Sequence, residues 1–118
     1  MKKNNSVITT TTIIDAKNQS VGRLASAVAK TLLGKTKVTY QPNFICGDKV
    51  KVINVNNIKF TGRKLETKIY RHHSQYLGGL KTKFAKEMTK KQVLEQTVYC
   101  MLPNNRLRKQ ILKRLTIE

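Results

Sequence analysis

The strongest constraint on the fold is a strand, helix, strand signature in the first half of the chain. Ile13, Ile14 and Ala16 form a short apolar strand ending near Asp15 and Lys17, after which Asn18-Gln19-Ser20 supplies a turn and a helix N-cap. Val21, Leu24, Ala25, Val28 and Leu32 then recur at helical spacing, Arg23 and Lys30 fall off that stripe, and Gly34 stands where a C-terminal cap ends the helix. Residues 35–48 read as a loop, because Gln41-Pro42-Asn43 breaks any helix and Gly47-Asp48 makes a second turn. Val50, Val52, Ile53 and Val55 follow as a β-branched run with apolar residues on both faces, the pattern of a strand covered on both sides. Such a βαβ unit crosses over right-handed in nearly all known cases and implies a parallel sheet between helical layers.

The second half is less regular. Asn56-Asn57 turns into a short strand or edge segment at 58–62, and residues 68–72 suggest another strand. Beyond Gly78-Gly79 the spacing becomes helical. Phe84 and Met88 are four apart, and Val93, Leu94, Val98 and Met101 form a second stripe that Pro103 stops. A final basic helix is expected from about Asn104 or Asn105, with Leu107, Ile111, Leu112 and Leu115 on its apolar side. A chain of 118 residues with 39% hydrophobic composition fills one modest core, so one domain is expected over 13–118, preceded by a flexible N-terminal extension at 1–12.

Charge sets the class of partner. Twenty-four lysines and arginines stand against six acids, a formal net charge of +18. Self-repulsion on that scale opposes folding, so a polyanion is the expected partner, and nucleic acid leads because neutralised phosphates release condensed counterions. Ten bases against two acids lie in residues 1–60 and fourteen against four in 61–118, so +8 and +10 sum to the whole and no single face monopolises the charge. No run approaches the roughly 18 consecutive apolar residues of a membrane span, so no membrane association is expected. Cys46 and Cys100 are too isolated for a disulfide framework and read as reduced, buried thiols. Eighteen lysines to six arginines, with nine asparagines, suggest an A/T-rich genome, either organellar or bacterial.

The most unusual stretch is Tyr70-Arg71-His72-His73-Ser74-Gln75-Tyr76-Leu77-Gly78-Gly79-Leu80-Lys81, which mixes rings, guanidinium and hydroxyls without one acid. Planar groups stack on splayed bases, Arg71 and Lys81 reach phosphates, and Gly78-Gly79 lets a backbone approach closely. The plain alternative is a polar strand end and a glycine turn. His72 and His73 invite a metal site, but neighbours on a strand point to opposite faces, and no Cys-x-x-Cys or His-x-x-x-His spacing supports one. No nucleophile elbow, dinucleotide fingerprint or phosphate loop is present, so neither catalytic residues, a cofactor nor a small-molecule substrate is expected. Basic loops at Lys35-Thr36-Lys37, at Thr61-Gly62-Arg63-Lys64 and at 106–109 (Arg106, Arg108, Lys109) each pass singly for solvated surface. Together they favour a surface that tracks a nucleic-acid backbone.

A series of short motifs then becomes recognisable: Ile14-Asp15-Ala16, Gly22-Arg23-Leu24-Ala25, Gly34-Lys35, Tyr40-Gln41-Pro42, Gly47-Asp48, Val52-Ile53-Asn54, Thr61-Gly62-Arg63-Lys64, Tyr70, His72-His73, Gly78-Gly79 and Met101-Leu102-Pro103. In this order over 13–115, the chain resembles the bacterial-type large-subunit ribosomal protein thirteen family. The resemblance implies a three-layer α/β/α domain around a small, mostly parallel sheet of about four strands. It also implies a non-enzymatic role: binding large-subunit ribosomal RNA and neighbouring ribosomal proteins, without homo-oligomers, in support of subunit assembly and translation. RNA contacts carry over onto Lys35, Lys37, Arg63, Lys64, Arg71, His72, His73, Tyr76, Gly78, Gly79 and Lys81, and with Arg106, Arg108 and Lys109 onto the loop after Pro103.

Three departures from the family pattern stand out. Cys100 and Asn104-Asn105 replace its usual glycines around Met-Leu-Pro, Thr11 and Thr12 replace an aromatic pair, and the longer C-terminal tail is missing after Glu118. The shortened ends, with the A/T bias, lead to an expectation of a plastid or mitochondrial ribosome rather than a bacterial one. Two other functions fit the same residues: a free-standing RNA or DNA regulator, and a small enzyme using His72 or His73 as general base.

Overall fold

The computed structural model of the chain describes residues 9–118. Strand β1 (Thr11–Asp15) leads through a turn to helix α1 (Val21–Leu33), and the 34–48 loop returns to strand β2 (Lys49–Ile53). Helix α2 (Lys64–Thr67) precedes strands β3 (Ile69–His73) and β4 (Leu80–Phe84), which are followed by α3 (Lys90–Met101), α4 (Arg108–Leu112) and β5 (Leu115–Ile117). Strands β1, β2 and β5 form a parallel sheet with β2 in the middle, while β3 and β4 pair antiparallel as a separate hairpin. This is the expected α/β domain around a small parallel sheet, which has three strands where about four were expected because β3 and β4 pair apart from it.

The βαβ unit forms where the sequence places it. Ser20 has extended backbone ahead of α1, and Gly34 closes the helix at φ +73°, donating its N–H to the Thr31 carbonyl. The left-handed region is open to glycine without a Cβ clash, which is why this cap is a glycine. Leu24, Ala25, Val28, Ala29 and Leu32 are buried against Val50 and Val52 of β2, Leu94 and Val98 of α3, and Ile111 of α4. Each large apolar side chain in that stripe contributes roughly 1.5–3 kcal/mol when fully buried. Ile14, Leu115 and Ile117 pack on the same cluster, and the register pairs Ile14 with Val52 and Val52 with Ile117, so one face of all three strands meets the helices. Cover on the other face is partial: Ile13 is 64% exposed, and Lys51 and Ile53 are half-buried. Lys51 explains this, since its ammonium must reach water and there pairs with Glu118 at 2.7 Å.

Several elements differ from expectation. β1 starts at Thr11, two residues inside the segment read as an extension; residues 1–8 of that segment lie outside the described residues. The 58–62 strand shrinks to one parallel bridge between Ser20 and Lys59, because β2 already ends at Ile53, where Asn54 turns into left-handed backbone at φ +60°. The 68–72 strand is present as β3, but its partner β4 occupies the stretch read as helical around Phe84. Helix starts only at Lys90, where the Thr89 hydroxyl accepts the Gln92 N–H and Gln92 returns a bond to the Thr89 N–H. The long C-terminal helix is also a correction: α4 stops at Leu112, and Leu115-Thr116-Ile117 becomes β5. β2 has an open edge that must be hydrogen-bonded, and the Val50 N–H donates to the Arg114 carbonyl while the Glu118 N–H donates to the Val52 carbonyl.

Candidate nucleic-acid interface

The unusual stretch at 70–81 is the β3–β4 hairpin. Its register pairs Tyr70 with Lys83, Arg71 with Thr82, His72 with Lys81 and His73 with Leu80. Directly paired residues share a face. Tyr70, His72, Lys81 and Lys83 therefore lie on one side, and Arg71, His73, Leu80 and Thr82 on the other, so cations and rings occupy both. All five residues of β4 are exposed, as are Arg71, His72 and His73. At the base, the Tyr70 hydroxyl bonds to that of Thr97 on α3 at 3.2 Å, and the Ala85 N–H donates to the Lys68 carbonyl at 2.9 Å, fastening the hairpin to the core.

The connecting loop is tightly specified. The His73 Nδ1 accepts the Gln75 N–H at 2.9 Å, which leaves Nε2 facing outward, and Gln75 and Gly78 both take positive φ, at 66° and 71°. The Gly79 N–H donates to the Tyr76 carbonyl at 2.9 Å, and a Cβ on Gly79 would stand 2.1 Å from Ser74 Oγ. A side chain there would push the loop open. Closed, it projects Tyr76 (79% exposed) and Leu77 (106%) from its tip, an aromatic and an aliphatic group with no cover from the domain. Arg63 and Lys64 lie near the hairpin's base: Gly62 turns the chain at φ +60°, and α2, exposed along its length, packs against β4 and the 85–87 turn.

The remaining candidates form a second group. The 34–48 loop and the segment after Pro103 converge on a shared cavity of about 120 Å³ whose lining includes Leu33, Tyr40, Phe44, Pro103 and Asn105. Lys35, Arg106 and Lys109 are exposed and lie within two residues, along the chain, of residues that line it. Lys37 and Arg108 behave differently. The Lys37 ammonium lies 2.5 Å from Asp48 Oδ1, and that carboxylate also accepts the Thr10 N–H at 2.9 Å. Arg108 donates to the carbonyls of Pro103 and Leu102, at 3.0 and 2.8 Å, with its guanidinium 4.6 Å from the Tyr99 ring centre. Both cations hold loops in place. Composition cannot distinguish a cation that ties the chain together from one that faces solvent.

Acids are largely occupied within the fold, which leaves the exterior field positive. Lys37 holds the Asp48 carboxyl below the usual carboxylate range, helped by Thr10 and opposed by desolvation. Asp15 is lowered by the backbone N–H of Lys17 and then by the Asn54 amide, each at 3.0 Å. Glu118 pairs with Lys51, and Glu87 accepts the Phe84 N–H at 3.2 Å. No group of three or more His, Cys, Asp or Glu among the described residues is placed to hold a metal ion. Cys46 is buried as expected, but Cys100 is exposed, on a part of α3 turned away from the apolar stripe. No helix among the described residues is long and apolar enough to cross a membrane. Sequence reasoning missed Lys83, Tyr40 and Phe44 as interface candidates. The alternation Leu80, Thr82, Phe84 against Lys81, Lys83 was the available signal for the first.

Comparison with known proteins bears directly on this surface. Residues 9–117 match the family model described as ribosomal protein L13. The chain is 46% identical over 108 residues to a protein of Lachnospira eligens named large ribosomal subunit protein uL13, covering 89% of this chain and 76% of that one. Proteins of the same name from Aquifex aeolicus (47% over 108 residues, 89% and 75%) and Geobacillus kaustophilus (43% over 120 residues, 99% and 83%) are similar to it as well.

Proposed function

The chain belongs to the ribosomal protein L13 family, and from that premise we propose how it works: it is a structural constituent of the large ribosomal subunit that binds and braces large-subunit ribosomal RNA. One observation carries the reading of the surface, the β3–β4 hairpin with Arg71 on one face and Lys81 on the other. A one-groove reader concentrates its cations on one side, whereas a strand pair basic on both sides is suited to lie between RNA segments. The hairpin, with Arg63 and Lys64 near its base, neutralises phosphates and releases counterions, while His72, His73 and Tyr76 supply planar groups for bases and sugars. Gly78 and Gly79 fix the loop that presents them. Lys35, Arg106 and Lys109 make a second contact region, and Lys37 and Arg108 hold the loops that carry it. The domain is thin, 51 × 40 × 19 Å, so RNA on either broad side lies close to RNA on the other.

In this role the chain acts as a single copy beside neighbouring ribosomal proteins and assists subunit assembly without catalysing a reaction. Placement in an organellar ribosome is a proposal for which the lysine and asparagine bias speaks; the relatives reported above are bacterial and lend it no support. Affinity purification of the tagged chain, followed by gradient sedimentation and ultraviolet crosslinking, tests the whole reading. Co-sedimentation with large subunits and crosslinks from the hairpin to their RNA are expected. A chain that sediments free of ribosomes overturns the reading, and sequencing the co-purified RNA decides between organelle and bacterium.

A further inference from the structure

The cavity between the 34–48 loop and the segment after Pro103 is separate from the hairpin. Its volume of about 120 Å³ is too small for a cofactor-sized ligand, since such pockets begin near roughly 300 Å³. It matches a single six-membered ring, as an engineered cavity of about 150 Å³ accepts benzene. Tyr40 and Phe44 give it aromatic walls, and Phe44 is 62% exposed, so its ring offers an unstacked face at the mouth. Polar groups sit at the same site. Asn105 uses Oδ1 to accept the Arg108 N–H, leaving its amide N–H groups for another acceptor, and Gln41 also lines the cavity. Lys35, Arg106 and Lys109 are exposed and lie within two residues of lining residues in the chain, whereas the nearest acid in sequence, Asp48, is paired with Lys37.

We propose that this cavity is a pocket for one unpaired nucleobase of ribosomal RNA, stacked on Phe44, with its flanking phosphates met by Lys35, Arg106 and Lys109. A protein side chain would also fit the volume, but three exposed cations within two residues of the lining, with the nearest acid in sequence already paired, complement a base carried between phosphates better than an apolar residue of a basic neighbour. The proposal rests on the RNA-binding reading above. It gives this surface a role in holding a splayed nucleotide, beyond general charge neutralisation.

The test uses the full chain and deproteinised large-subunit ribosomal RNA, with affinity read by filter binding and contacts by ultraviolet crosslinking and peptide mapping. A nucleotide adduct on the peptide spanning 40–44 is expected. Phe44→Ala should lose that adduct and weaken binding about 5- to 150-fold, the range for one stacked base, with the slope of log K against log salt unchanged. Phe44→Trp keeps a stacking surface and should restore both; it also separates loss of stacking from loss of fold. Tight, salt-dependent binding with no adduct at 40–44 and no effect of Phe44→Ala overturns the pocket while leaving the ribosomal reading intact. In a parallel experiment on purified large subunits, crosslinking of this peptide to a ribosomal protein instead of RNA overturns it equally. Failure of the wild-type chain to bind the RNA at all overturns both.

Discussion

The Lys37 ammonium sits 2.5 Å from Asp48 Oδ1, joining the start of the long loop to the residue just before β2. The same carboxylate accepts the Thr10 N–H, so one acid organises the entry to two adjacent parallel strands. Both side chains are mostly covered, at 22% and 12% exposure, which places the pair between a surface ion pair and a buried one.

That pair predicts a specific acid sensitivity. The Asp48 carboxyl is lowered from 3.8 by Lys37 first and Thr10 second. A carboxylate with a depressed folded pKa contributes stability above its unfolded value and loses it as pH falls through the folded one. Asp48→Asn is therefore expected to cost about 1–3 kcal/mol at pH 7, and that cost should shrink as pH falls below 3.8 toward the depressed folded value. Urea denaturation of both proteins at pH 7 and pH 3 checks this; an equal difference at both values would remove the ionised pair as the cause.

Gly47 predicts a packing effect of a different kind. A Cβ there would lie 1.7 Å from the Leu32 carbonyl oxygen, which is backbone and has no rotamer to move. Gly47→Ala must lift the loop off the end of α1 and pull the Gly47 carbonyl from the Arg114 guanidinium, 2.5 Å away. A loss of about 2–4 kcal/mol is expected. Gly22→Ala is the control: nothing lies within 4 Å of its Cβ, and it sits inside α1, so that change should be neutral or stabilise by up to about 1 kcal/mol. Thermal melts of the two variants should move in opposite directions or differ by several degrees.

The two faces of the hairpin make a separable prediction about RNA. Arg71 and Lys81 are on opposite sides by register, so their contacts are independent if RNA lies on both. Arg71→Gln and Lys81→Gln should each weaken binding to large-subunit RNA and each lower the magnitude of the salt slope by about 1, with the double variant lowering it by about 2. Tyr76→Ala should weaken binding without changing the slope, because it removes a ring and no charge. A silent Lys81 beside an active Arg71 would confine RNA to one face.

Long amphipathic elements were legible in the sequence because their periodicity reports burial. The α1 stripe, its Gly34 cap and the β2 run as far as Ile53 appear where the spacing puts them, while Val55 falls beyond the turn at Asn54. Elements whose reason for existing lies elsewhere in the chain were not. β5 spans only Leu115–Ile117, too short to show a period, and it forms because the β2 edge needs a partner. Leu107, Ile111, Leu112 and Leu115 do fit a helical stripe, yet the last of them serves the sheet. β4 alternates Leu80, Thr82 and Phe84 with Lys81 and Lys83, but every residue is exposed, so no burial against the core reinforces that short pattern. The basic loops were legible as basic. Which cation faced outward depended on a carboxylate or a carbonyl brought near by the fold, as at Lys37 and Arg108.

Arg108 supplies the sharpest separation of these roles. Its guanidinium donates to two carbonyls beyond the end of α3 and stacks on Tyr99, so it closes the turn through Pro103 that delivers α4 and β5. Only a planar fork with several donors satisfies two carbonyls and a ring together; a lysine offers a point charge without the planar face. Arg108→Ala is therefore expected to cost about 1–3 kcal/mol of stability, and Arg108→Lys to recover less than half of it. Neither variant should alter the RNA salt slope at temperatures where it is folded, whereas Arg106→Gln and Lys109→Gln should lower that slope and leave the stability from urea denaturation within about 0.5 kcal/mol of the parent. Measuring both quantities on the four variants distinguishes cations that build the loop from cations that meet phosphate. A slope change for Arg108→Ala equal to that for Arg106→Gln would place its guanidinium on RNA and leave the turn to be held by other contacts.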